Sequence, residues 1–89
     1  MTSRRIKVRV RFAGYLRNLL GEEIEVECYQ GITIHELLEE IIRSSDTSFT
    51  ISDSEFIFAI DGKEINSNKE LTRDCIVDVY PIVQGGISF

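Results

Sequence analysis

Two short, strictly alternating segments with opposite charge on their outward positions constrain this chain more than any other feature. In residues 5–12, Ile6, Val8, Val10 and Phe12 alternate with Arg5, Lys7, Arg9 and Arg11. In residues 23–29, Ile24, Val26 and Cys28 alternate with Glu23, Glu25 and Glu27. A period of two belongs to a strand with one buried face and one wet face. Antiparallel pairing sets the basic stripe against the acidic one, each cross-strand pair contributing about 0.2–1 kcal/mol. The basic stripe therefore reads as half of a charge ladder, not as a phosphate site.

The apolar faces of such strands need a cover, and the next segment supplies it. Thr33 and Glu36 have the T-x-x-E spacing of a capping box, with Ile32 and Leu37 placed for a hydrophobic staple. Behind them, Ile34, Leu37, Leu38, Ile41 and Ile42 form one stripe of a helix expected to stop near Ser44. Between the two strands, residues 13–21 hold Tyr15, Leu16, Leu19 and Leu20, predicting one or two helical turns ended by Gly21. Residues 44–55 are polar and without period, which predicts a loop.

Residues 56–60 are all apolar and read as a buried strand, followed by an Asp61-Gly62 hairpin turn and a short return strand at 63–65. Residues 66–74 are turn-rich, with Leu71 as core anchor. A last strand at 76–80 is expected to be stopped by Pro81, which lacks the N–H a ladder needs. Strands mixed with one main helix predict a two-layer α+β domain, the helix lying across one sheet face.

Several function classes are excluded at this stage. At 89 residues and 43% hydrophobic content the chain is one small globular domain. A net charge of −5 argues against nucleic acid as a partner. No apolar run approaches the ~20 residues that span a bilayer, and no secretory signal is visible, so the expected location is cytoplasmic. Cys28 and Cys75 stand far apart, with His35 as the lone histidine, so no metal site is expected. The two cysteines read as small buried hydrophobes. His35 among Glu36, Glu39 and Glu40 reads as a solvated helix face, with no nucleophile in a recognisable spacing. No catalytic residue is expected in this chain.

The C-terminus carries the remaining signal. Gly85 and Gly86 follow the last strand, then Ile87-Ser88-Phe89. Paired glycines make a thin tail that another protein's active site can approach closely. Taken alone, such a tail reads first as a frayed end. The expected division is a domain at 1–83 and a flexible tail at 84–89.

Read together, IKVRVRFAGYLRNLLG, TIHELLEEI, FAIDGKEI and VDVYPIVQGG occur in an order that resembles the ubiquitin-like sulfur carriers. The likeness is greatest to the small subunit of molybdopterin synthase and to archaeal ubiquitin-like small modifiers. It covers nearly the whole chain, and its most specific parts are the FAxxLR-type segment and the strand–Pro–x–Val–x–Gly-Gly ending. The resemblance implies a ubiquitin-like β-grasp fold, with a mixed sheet of four to five strands. It also implies that the chain is a carrier and not an enzyme. A partner adenylating (E1-like) enzyme, using ATP and magnesium, would activate the carboxylate of Gly86. Sulfur would then be held there as a thiocarboxylate and passed on, or the acyl group joined to a protein lysine. The acceptor would be the molybdopterin synthase large subunit or another sulfur acceptor. Val83, Gln84 and Gly85 would thread the tail into the partner, and Tyr80 and Ile82 would anchor the interface. No cofactor is expected on the chain itself.

One departure is serious. Carriers of this type usually stop at the second glycine, and here Ile87-Ser88-Phe89 follows. Retention of both glycines favours a processing peptidase that cleaves after Gly86. The alternative is a β-grasp interaction module whose tail is never activated. Smaller departures are Asp61 where asparagine is common, and Ile82 where a second proline is common.

Overall fold

The computed structural model describes residues 4–46 and 55–82. The alternating segments are strands β1 (Arg5–Phe12) and β2 (Glu23–Tyr29), joined through a short helix α1 (Leu16–Leu20) that Gly21 ends at φ 101°. The main helix α2 (Ile34–Arg43) follows, then β3 (Phe56–Ile60), β4 (Lys63–Ile65) and β5 (Cys75–Pro81). They form one five-stranded sheet in the order β2-β1-β5-β3-β4. β1 and β5 run parallel and every other pair antiparallel, so the sheet is mixed. With α2 packed on one face, this is the expected α+β β-grasp architecture.

The core lies between sheet and helix. Val8 and Val10 of β1, Phe58 of β3 and Val77 and Val79 of β5 pack with Ile34, Leu37, Leu38, Ile41 and Ile42 of α2. Leu16 of α1 and Leu71, the predicted anchor of the 66–74 segment, close its ends.

The capping box forms as read. The Glu36 N–H donates to Thr33 Oγ1 at 3.1 Å, and the Thr33 N–H donates to Glu36 Oε1 at 3.0 Å. The remaining N–H groups of the first turn are met from outside the helix. The Ile34 N–H donates to the Lys69 carbonyl at 3.2 Å and the His35 N–H to the Ser67 carbonyl at 2.9 Å. The 66–74 segment thus caps α2 as well as anchoring Leu71, and no N–H of that turn is left for an anion. Thr33→Ala is expected to cost about 1 kcal/mol, read as a lower urea midpoint with unchanged slope.

The hairpin turn is also as expected. Asp61 (φ 49°) and Gly62 (φ 89°) both occupy the left-handed region that a two-residue hairpin requires. The Asp61 carboxylate accepts from the Ile76 N–H at 3.1 Å, and the Asp61 N–H donates to the Ile76 carbonyl at 2.9 Å. Aspartate therefore ties the turn to β5.

Two expectations are refined. The charge ladder exists, but its ion pairs run diagonally. Register places Arg9 opposite Glu25 and Lys7 opposite Glu27, yet Arg9 pairs with Glu23 at 3.0 Å and Arg5 with Glu27 at 3.5 Å. Arg11 leaves the ladder altogether for Asp78 of β5. Long side chains lean along their strands and reach a diagonal neighbour as readily as a direct one. Second, β5 ends at Pro81 as expected, but Pro81 is itself its last residue, opposite Phe56, and β5 begins at Cys75 instead of residue 76. Its missing N–H faces the β1 side, where β1 has already ended; on the other side the Ile82 N–H still donates to the Glu55 carbonyl at 2.9 Å. Most of the predicted 44–55 loop and the proposed boundary at residue 83 fall outside the described residues.

Candidate functional site

Alternation along β5 sends Val77 and Val79 into the core and Ile76, Asp78 and Tyr80 onto the open sheet face. One row across that face reads Glu23, Arg11, Asp78, Ala59, Glu64. At its centre Asp78 is only 7% exposed, covered by the Arg11 side chain on one flank and placed beside Ala59 on the other. Arg11 Nε donates to Asp78 Oδ1 at 2.7 Å and Nη2 to Oδ2 at 3.2 Å. This fork-to-fork pair pushes the Arg11 guanidinium above its ordinary value, mainly through the hydrogen bond to Asp78.

The next row brings Tyr80 opposite Ile57. Tyr80 is 43% exposed, and Ile57 and Ile82 are half-buried. Ile57 and Ile82, with Phe56, Glu64, Ile65 and Asn66, line an open depression beside the point where the chain leaves the sheet. The two predicted interface residues, Tyr80 and Ile82, therefore sit near one another at the root of the tail. Val83, Gln84, Gly85 and Gly86, and the proposed cleavage point before Ile87-Ser88-Phe89, lie outside the described residues.

Sequence reasoning missed Ile57 and Asp78. In the uniformly apolar 56–60 run no alternation says which residues face out. Asp78 interrupts an apolar strand, which is a visible signal, but its partner is 67 residues away on a parallel neighbour.

No three His, Cys, Asp or Glu side chains among the described residues come together as a metal site. His35 Nε2 lies 3.3 Å from Glu39 on an exposed helical turn. No helix is long and apolar enough to cross a membrane.

The thiols are placed as small core residues. Cys28 is buried and Cys75 half-buried, both unbridged. They sit in β2 and β5, on opposite sides of β1, so about 9.5 Å of sheet separates their backbones, beyond disulfide reach. Burial pushes both thiols up, helped at Cys28 by Glu40 and at Cys75 by Asp61. Because folding raises both values, the uncharged thiols favour the fold below the ordinary thiol range. That contribution is lost as pH rises through the raised values. The stability advantage of the wild type over a Cys28→Ala/Cys75→Ala chain is expected to be constant near neutrality and to shrink above about pH 8.5. Thermal melts across that range check it.

Residues 10–86 match the ThiS family model, which takes in most of the chain and the whole of this site. The chain belongs to the ThiS family. Among solved structures, the candidate molybdopterin converting factor subunit 1 from Pyrococcus furiosus is 27% identical, with a TM-score of 0.69 over 88% of this chain and 99% of that one. The Haloferax volcanii protein HVO 2177 superposes with a TM-score of 0.76 at 22% identity, over 92% of this chain and 88% of that one. The small archaeal modifier protein 1 of Methanosarcina acetivorans gives 0.69 at 16%, over 93% and 99%. These last two share the fold. No curated protein sequence gives a significant match. As a ThiS-family member the chain is one of the small ubiquitin-like sulfur carriers, proteins that work with an activating enzyme and an acceptor.

Proposed function

We propose that this chain carries sulfur as a C-terminal thiocarboxylate on Gly86, after a peptidase removes Ile87-Ser88-Phe89. The observation that carries the reading is the extent of the family match, which runs through both glycines and stops at residue 86. A carboxylate resists nucleophiles because of its charge. An adenylating partner using ATP and magnesium converts it to an acyl adenylate with release of pyrophosphate. A sulfur nucleophile then displaces AMP, leaving the thiocarboxylate on Gly86. Attack by a lysine amine on the same acyl group releases AMP and forms an isopeptide bond, which makes the chain a protein modifier.

The chemistry belongs to the partners, and this chain supplies a docking face and a slender tail. Tyr80, Ile57 and Ile82 form the anchor, since docking energy concentrates in a few apolar and aromatic groups. Val83, Gln84 and Gly85 then thread the tail, the four residues from Ile82 to Gly86 reaching at most about 14 Å. The sulfur acceptor is the molybdopterin synthase large subunit or a protein of equivalent role.

The three residues after Gly86 favour a second reading, an interaction module whose tail is never activated. Intact mass of the chain isolated from its own host separates the two. Loss of Ile87-Ser88-Phe89 with one oxygen exchanged for sulfur supports the carrier. Loss without sulfur directs attention to lysine conjugates. A uniform full-length mass under sulfur-transfer conditions supports the module.

A further inference from the structure

The root of the tail is held from both sides, and one side depends on a missing side chain. On the β3 side, the Ile82 N–H donates to the Glu55 carbonyl at 2.9 Å. On the β1 side, the last ladder bond is from the Ala13 N–H to the Val79 carbonyl at 3.0 Å. The chain then turns away through Gly14 at φ 61°, and the turn lies against the Pro81 ring. A Cβ on Gly14 would stand 2.9 Å from Pro81 Cγ and 3.4 Å from Cδ.

We propose that Gly14 is a positioning residue for the tail, its bare Cα letting the 13–15 turn seat the Pro81 ring and so set the direction in which the chain leaves the sheet. The proposal rests on the carrier function, because only an activated tail needs to be aimed. A methyl at Gly14 forces the Pro81 ring to shift by about 0.5 Å before ordinary contact is restored. Pro81 is the last residue of β5, and Gly86 lies five residues beyond it, about 17 Å when extended. The Gly14 contact therefore acts on where the tail departs from the sheet, and a misplacement of about 1 Å at reacting atoms can cost two orders of magnitude in rate.

The test uses the full chain expressed in its host as wild type, Gly14→Ala, Pro81→Ala and Gly14→Ala/Pro81→Ala. The fraction converted to thiocarboxylate is read by intact mass. Thermal melts and amide exchange at Ile82 are read on the same proteins. Gly14→Ala is expected to lower conversion about tenfold and to speed exchange at Ile82. Pro81→Ala removes the obstructing ring atoms, so the double variant should recover most of the conversion although it keeps the strained φ at residue 14. Conversion by Gly14→Ala equal to wild type overturns the proposal. So does a double variant as poor as Gly14→Ala, since the defect would then be backbone strain alone. If the wild type is never converted, the carrier function fails instead, and unchanged exchange at Ile82 in Gly14→Ala overturns the bracing on its own.

Discussion

A Phe58→Ala chain is expected to lose about 3–5 kcal/mol of stability. Phe58 is 1% exposed, among the largest of the fully buried side chains, and sits in β3 opposite Val79 and Ile65 where sheet and helix meet. Its removal costs both the transfer energy of the ring and a cavity that neighbouring strands, tied by their ladders, cannot close. At about 0.05–0.15 kcal/mol per residue, a domain of this length has only about 4–13 kcal/mol in total. The substitution therefore removes about a quarter of that total at the high end and all of it at the low end. Phe58→Leu keeps most of the volume and should cost less than about 1.5 kcal/mol. Urea denaturation of both variants tests this, and a Phe58→Ala midpoint close to wild type would show that the core does not depend on this ring.

Gly86→Ala is expected to do the reverse, leaving the thermal transition in place while conversion of the C-terminus falls on the order of 100-fold. Under the carrier function, the partner's channel must admit backbone without Cβ, and a methyl beside the reacting carbonyl displaces it from the adenylating site. The buried core of the described residues lies within residues 6–79, and Gly86 is outside them. Conversion is read by mass in the host, and folding by calorimetry on the purified chain. A collapsed transition would mean that the tail is structural, and undiminished conversion would mean that the partner's channel admits a Cβ at residue 86.

Local signals carried well from sequence to structure. The alternation of Ile6, Val8, Val10 and Phe12 became a strand with that face buried. Thr33 and Glu36 formed both bonds of their box, and Asp61-Gly62 turned the hairpin. Each depends on atoms within a few residues, so a short stretch of sequence contains the whole cause. Pro81 ended β5 one position later than expected, as the strand's last residue, because its missing N–H faces the side where β1 has already ended. The charged stripes face each other as expected, while side-chain lean and the competing carboxylate of Asp78 decide which ion pairs close.

The sequence by itself determined the elements, the buried faces, the α+β class and the di-glycine tail that makes a carrier of this chain worth proposing. Only the tertiary structure decided that β5 lies parallel to β1 at the centre of the sheet. That pairing joins Arg11 to Asp78 across 67 residues and lays the Gly14 turn against Pro81 at the root of the tail, while the β3–β5 pairing sets Tyr80 opposite Ile57. Contacts at that separation form only after the loops between them have closed, and no local preference encodes their closure.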